Sequence, residues 1–247
     1  MRRMDFLRMS GLLGMSGLFS SFAARSGNAE PESLDAAMKE KIKVAGLNGS
    51  AFHLKAAPIP KVRIALFGLG NRGQSLIDML NWLVQEGHAE ITAISDINPK
   101  KVQRAKEQIG TFQRVVPAVF TGAENAWEQA MSSEVADLAL ICTPWEWHTK
   151  MALKALENGL HAASEVPIAY TPEDSIELVR TAEATQRHCI MLENCCYNRE
   201  ELWILNMIEE GVFGTVTHAE CAYLHDLRQL MIDPTYYEDR WRLKHHL

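Results

Sequence analysis

After Pro60 the chain alternates between short unbroken apolar runs and longer segments whose apolar residues return every three or four positions. The run "KVRIALFG" (61–68) has the pattern of a strand covered on both faces. "NRGQSLIDMLNWLVQEG" follows at helical spacing and stops at Gly87. "EITAISDIN" (90–98) predicts the second strand, and Pro99 opens a helix that closes near Gly110. A short strand "AVF" and a helical "ENAWEQAMSS" lead to the buried strand "ADLALICTP" (136–144). Then come a helix over "EWHTKMALKALENG", a fifth strand "HAASEVP" (161–167), a helix over "TPEDSIELVRTAEATQ" and a sixth strand "HCIMLENCC" (188–196). Strands alternating with helices in this way predict an α/β fold, a doubly wound parallel sheet of the Rossmann type.

The pattern changes at "REELWILNMIEEGVFG", one more helix ending at Gly211. "GTVTHAECAYLHD" (214–226) then alternates residue by residue, the expectation for a strand in a half-exposed antiparallel sheet. One strand cannot cover its own apolar face, so the α+β domain that begins here is expected to be incomplete at Leu247. The organisation expected is a leader over 1–30, a linker over 31–60, a nucleotide domain over 61–197 and the start of a substrate domain over 198–247.

Composition narrows the function classes. Of 247 residues 47% are apolar and 23% charged, enough apolar material for a core, and the net charge is -6. With no basic cluster past the N-terminus, a nucleic-acid surface is excluded. The N-terminus carries Arg2-Arg3, then Phe6-Leu7 and a weakly apolar Gly/Ser-rich run to Ala24, the layout of a twin-Arg export signal. It departs from the usual spacing, since Met4 and Asp5 both stand between the arginines and Phe-Leu. The expectation is export by that route, with no stable membrane anchor after removal of the signal. Cys142, Cys189, Cys195, Cys196 and Cys221 lie in apolar stretches and read as buried thiols rather than a disulfide set. Metal-ligand spacings such as paired CxxC or HExxH do not occur, so no metal is expected.

Gly68-Leu69-Gly70-Asn71-Arg72-Gly73 matches GxGxxG between a buried strand and a helix, the context that dinucleotide binding requires. Gly68 permits the tight turn, Gly70 lets backbone approach a pyrophosphate, and Gly73 lets helix and strand pack closely. Asp96 ends the second strand, where a carboxylate can accept from ribose hydroxyls and repel an extra phosphate, so NAD is expected over NADP. "CTPWEWHT" (142–149), "SEVP" (164–167) and "ENCCY" (193–197) all fall at the carboxyl edge of the sheet. Glu165, Asn194 and Tyr197 can therefore converge there with Trp145, Trp147 and His148.

These motifs resemble the glucose–fructose oxidoreductase/inositol dehydrogenase superfamily, in which the fifth strand ends in Glu-Lys-Pro and the Lys transfers a proton. Here the tripeptide is Glu165-Val166-Pro167. "FGLGNRG", "ICTPWEWHTKMAL", "EVP", "MLENCCY", "AYLHDLR" and "WRLKH" more closely resemble glycoside hydrolase family 109, the NAD-dependent α-N-acetylgalactosaminidases, in the same order. That resemblance implies cofactor contacts at Asn71, Arg72, Asp96, Trp145, Glu146, Trp147, His148, Glu165, Val166 and Asn194. It implies sugar contacts at Tyr223 and Arg242, and proton transfer by Tyr197 and His225. The implied substrate is a glycan with terminal N-acetylgalactosamine, and the implied cofactor a tightly held NAD that is recycled. The family continues past "WRLKH" with further substrate residues and most of an antiparallel sheet. A sugar or polyol dehydrogenase and a non-catalytic NAD-binding remnant stay open as alternatives, as does a homo-oligomer.

Overall fold

A computed structural model of the chain describes residues 46–222, 224–237 and 241–244. The leader and the first half of the linker that follows it therefore lie outside the described residues, as does Tyr223. The described residues fall into two units, 46–194 with 224–237 and 241–244, and 195–222.

The larger unit is built on a six-stranded sheet of order β3-β2-β1-β4-β5-β6. Its strands are β1 (Val62–Phe67), β2 (Ala89–Ser95), β3 (Ala118–Phe120), β4 (Leu138–Ile141), β5 (His161–Glu165) and β6 (Cys189–Leu192), every neighbouring pair parallel. The order reverses between β1 and β4, which places the crevice of a doubly wound fold at the carboxyl ends of those two strands. Helices α1 (Asn71–Gln85), α2 (Pro99–Gly110), α3 (His148–Glu157) and α4 (Pro172–Thr185) make the crossovers.

Alternation along β1 divides the core. Ile64 and Leu66 join Leu76, Ile77 and Leu80 of α1 and Val102, Ala105 and Ile109 of α2 on one face. Ala65 and Phe67 join Trp127, Met151, Leu156 and Leu178 on the other, against α3 and α4. Both faces are covered, which is why the strands read as continuous apolar runs. The helix starts follow their sequence signals. Asn98 and Thr171 cap α2 and α4 by accepting from Lys100 N and Asp174 N, each followed by Pro.

At the amino ends of the strands, Arg63 binds Asp137 through Nε at 3.2 Å and Nη2 at 2.7 Å, and donates to the carbonyls of Ser133 and Glu134. Burial pushes the Asp137 carboxyl up, and the hydrogen bonds from Arg63 outweigh it and hold it below the usual carboxylate range. Nearby, His161 Nδ1 accepts from the His188 backbone N–H at 2.9 Å, and the two rings lie 5.2 Å apart. On α4 the Glu183 side chain, only 6% exposed, accepts from Asn48 N at 2.9 Å and Gly49 N at 2.5 Å. The chain before β1 is thereby moored to the far end of the sheet sequence.

The smaller unit contains α5 (Arg199–Glu209), introduced by a turn in which Asn198 N donates to Cys195 O at 2.9 Å. The strand expected over 214–226 does not form among the described residues, which run there without regular structure. Alternation supplies a suitable side-chain pattern, but a strand exists only where a neighbour completes its backbone hydrogen bonds. Helices α6 (Arg228–Ile232) and α7 (Trp241–Lys244), one turn each, belong to the larger unit.

Candidate functional site

The turn after β1 is fixed by packing on every side but one. Gly68 has φ +83, and a Cβ there would sit 2.6 Å from the backbone of Cys142 at the end of β4. A Cβ on Gly73 would meet Gly68 O at 2.0 Å, so helix and turn touch directly. At Gly70, in contrast, an added Cβ would find only Lys101 Nζ at 3.8 Å. Protein packing does not require glycine at position 70; the space beside it is open.

That opening lies at the start of α1, whose N-cap is Gly70 itself, with no side-chain cap and no acidic residue in the first turn. The amides there carry partial positive charge and lack side-chain competitors, which suits the phosphates of a dinucleotide. Asp96 braces the turn from β2: Oδ2 accepts from Leu69 N at 2.7 Å and Oδ1 from Asn98 N at 2.8 Å. Each carboxylate oxygen keeps a further lone pair with which a ribose hydroxyl can be met.

Three strand ends are joined across this edge. Arg72 binds Glu165 through Nε and Oε1 at 2.6 Å, and its Nη2 donates to Asn194 Oδ1 at 3.3 Å. Asn71 Nδ2 donates to Tyr236 O at 3.0 Å. The Cys142 thiol beneath is pushed up, chiefly by burial and further by the Glu165 carboxylate, with Arg72 opposing, so it stays protonated and unreactive.

An aromatic cluster stands beside them. Trp145 contacts Tyr170 and Trp241 edge-on at 6.1 and 5.3 Å, and Tyr237 meets Trp241 at 5.5 Å. The Arg242 guanidinium lies 4.8 Å from the Trp145 ring and 5.2 Å from that of Tyr237, and Nη1 bonds the Tyr237 hydroxyl at 2.5 Å. Trp147 turns away, toward Trp127 at 6.3 Å, with Lys150 Nζ 4.7 Å over its ring. These last residues line a cavity of about 330 Å³ with Glu124, Asn125 and Glu128. His148, 1% exposed, has both ring nitrogens against carbonyls, Nδ1 to Pro167 O and Nε2 to Thr143 O, each at 2.8 Å.

The fold thus gathers Gly68 to Gly73, Asp96, Trp145, Glu165, Asn194 and Arg242 in one unit, at the carboxyl edge of the sheet or on elements bonded to it. Val166 is half-buried before the cis Val166–Pro167 bond, and Glu146 is exposed. His225 is exposed in the same unit, and Tyr197, 85% exposed, belongs to the smaller one. Tyr170, Tyr237 and Trp241 were not anticipated from the sequence; the density of aromatics in "TYYEDRW" was the signal that could have found the last two. The cysteine expectation needs correction: all five are free, but Cys195, Cys196 and Cys221 are exposed, because the segments that carry them have no covering layer among the described residues. Among the described residues no group of three His, Cys, Asp or Glu is placed to hold a metal, and no helix is long and apolar enough to cross a membrane.

Comparison with known proteins agrees with this geometry. A model of an oxidoreductase family with an NAD-binding Rossmann fold matches residues 62–193, and one for the glycosyl hydrolase 109 C-terminal domain matches residues 197–246. A glycosyl hydrolase family 109 protein 1 from Shewanella sp. (strain MR-4) is 38% identical over 244 residues, 99% of this chain and 50% of its own length. An alpha-N-acetylgalactosaminidase from Shewanella oneidensis is 40% identical over 80% of this chain and 42% of its own length. The chain thus spans about half the length of the curated relatives it matches. Among solved structures, scyllo-inositol dehydrogenase from Lactobacillus casei, with NAD(H) and scyllo-inositol bound, superposes with a TM-score of 0.54 at 20% identity, over 64% of this chain and 43% of that one. The chain belongs to the oxidoreductase family with an NAD-binding Rossmann fold and, within it, to the glycosyl hydrolase 109 family.

Proposed function

We propose that the larger unit binds NAD and serves the hydrolysis of terminal α-N-acetylgalactosaminides with that cofactor retained and recycled. The observation that carries the reading is the open space at Gly70, aimed at an uncapped helix start while Gly68 and Gly73 are closed by packing. The NAD(H)-bound inositol dehydrogenase of the same fold and the relative named alpha-N-acetylgalactosaminidase support it.

When bound, NAD would take a hydride from C3 of the sugar and return it at the end of the cycle. The first-turn amides of α1 would hold the pyrophosphate, with Asp96 on the adenosine ribose. Arg72, tied to Glu165 and Asn194, would position the strand ends around the nicotinamide half. With C3 oxidised, a base would remove the C2 proton and an acid would protonate the departing glycosidic oxygen; water would then add at C1 and a proton return to C2 before C3 is reduced, and Tyr197 and His225 are assigned to these proton transfers. Such groups contribute roughly 10²–10⁴-fold each when positioned. Tyr223 and Arg242 would hold the sugar. A plain sugar or polyol dehydrogenase reading is weaker, since Val166 stands where that superfamily carries its proton-transfer lysine.

The test is made with no cofactor added: the purified chain is denatured and released NAD(H) counted per protein. About one per chain is expected. An α-N-acetylgalactosaminide is then offered, again without NAD. Cleavage that strictly requires added NAD, with NADH accumulating, would defeat the recycling reading. Export by the twin-Arg route is part of the same proposal, because a protein that folds around its cofactor can carry it out of the cytoplasm. Replacing Arg2 and Arg3 by Lys should hold the chain inside the cell, as fractionation would show.

A further inference from the structure

On the NAD reading above, we propose that residues 228–237 and 241–244 form a strap over the cofactor crevice, and that this strap, rather than the open sheet edge, keeps NAD from leaving. The crevice lies where β1 and β4 end, and the strap is fastened on both sides of it. On the β1 side, Asn71 at the start of α1 donates from Nδ2 to Tyr236 O at 3.0 Å. On the β4 side, Trp145 meets the Trp241 ring edge-on at 5.3 Å and the Arg242 guanidinium at 4.8 Å. Tyr237 closes the span: its ring lies 5.5 Å from that of Trp241, and its hydroxyl accepts from Arg242 Nη1 at 2.5 Å. Two consecutive residues, Tyr236 and Tyr237, thus join the nucleotide turn to the group packed on the loop after β4. A dinucleotide with its pyrophosphate at the start of α1 and its nicotinamide toward β4 and β5 crosses the same span.

The strap roofs the crevice without filling it. Among the described residues, and apart from the chain neighbours of Gly70, only Lys101 Nζ comes within 4 Å of a Cβ placed there. No strap atom therefore occupies the space left beside the helix start. The fastenings are also shallow. No residue of α6 or α7 is buried, and Tyr236 is 43% exposed. Elements held by few buried contacts open locally at small cost, which is what a cover that must admit its ligand requires. Ring contacts and a cation over an exposed indole are each weak, but a ligand beneath leaves only when they part. Opening of the strap thereby becomes the slow step of release. The same strap carries Arg242, assigned above to the sugar, so its opening also withdraws that group.

Release is timed on the intact chain loaded with NADH and chased with excess NAD, the nicotinamide fluorescence reporting what stays bound. Trp241→Ala removes the contacts to Trp145 and Tyr237 and should speed release about tenfold. Trp241→Phe keeps a ring there and should restore most of the retention. An unchanged release rate in Trp241→Ala overturns the strap. Tighter binding in that variant overturns it too, since the segment would then compete for the crevice. Tyr237→Phe removes only the hydroxyl held by Arg242 and should speed release about threefold. That variant carries the test should Trp241→Ala not fold. Trypsin gives a second readout, because Arg242 offers a cleavage site within the strap. Saturating NADH should slow cleavage after Arg242, and equal rates with and without it overturn closure. A chain that binds no NADH in any form fails the cofactor reading itself, whereas NADH bound with release unmoved by either variant fails the strap alone.

Discussion

Two helices of similar sequence pattern meet opposite fates in this molecule. In α1, Leu76, Ile77 and Leu80 are buried against the sheet and α2. In α5, Leu202, Trp203, Ile204, Leu205 and Ile208 are between 44% and 55% exposed, and no residue of the helix is buried. Apolar spacing thus tells where a helix forms and not whether its face is covered. A helix apolar on so many sides is ordinarily an interior one. Covering it would be worth about 1.5–3 kcal/mol for each large side chain enclosed, so the larger unit holds its stability internally while the smaller one contributes little.

The widest gap between the two regions should come from truncating an aromatic in each. Phe67→Ala removes a ring that is 1% exposed and should cost about 3–5 kcal/mol. Trp203→Ala, at a site 55% exposed, should cost about 0.5 kcal/mol or less. Denaturant midpoints of the two variants measure this, and equal losses would erase the contrast.

A subtler version compares glycines of similar backbone. Gly68 and Gly211 have φ +83 and +68, but a Cβ at Gly68 meets the Cys142 backbone while at Gly211 it meets nothing within 4 Å. Gly211→Ala should therefore cost only the left-handed strain, about 1 kcal/mol. Gly68→Ala adds the clash, for about 3 kcal/mol in all, and should also distort the nucleotide turn. Similar midpoints for the two would mean that the β4 end yields to accommodate the methyl group.

The smallest effect is a pH dependence confined to the larger unit. Burial, with His188 and Arg187, depresses the His161 imidazole below its ordinary 6.5. A histidine depressed on folding stabilises fully above its unfolded value, and the contribution is lost as pH falls through the lower folded value. Melting midpoints should therefore fall from neutral toward mildly acid pH by an amount that His161→Gln removes, about 1 kcal/mol or less after allowance for its partial exposure. For Asp137 the window lies lower: its contribution is present above the unfolded 3.8 and lost as pH falls through the depressed value. A slope unchanged by His161→Gln would assign the dependence elsewhere.

The nucleotide unit was legible because its signals are local and agree with one another. Continuous apolar runs, Pro-opened helices and a glycine turn in the right context each point to one fold. The turn residues could even be given separate roles, and the space beside Gly70 is open while those at Gly68 and Gly73 are filled. The roles of His148 and Arg72 were not legible, because they depend on which carbonyl or carboxylate lies across the sheet, 19 and 93 residues away in sequence. Likewise, Trp145 could be expected at the carboxyl edge, but its meeting with Arg242 and Trp241 depends on a segment that returns from far along the chain. The strand expected at 214–226 failed for the complementary reason. Its pattern is local, whereas its existence depends on a neighbour.

The mooring of Asn48 and Gly49 on Glu183 has a consequence in time. Their anchor lies 135 and 134 residues later in sequence. Chains are made at about 5–20 residues per second, so for roughly 7–27 s of synthesis those two amides have no carboxylate to find. The segment ahead of the first strand is then among the first parts to leave the ribosome and among the last to be secured.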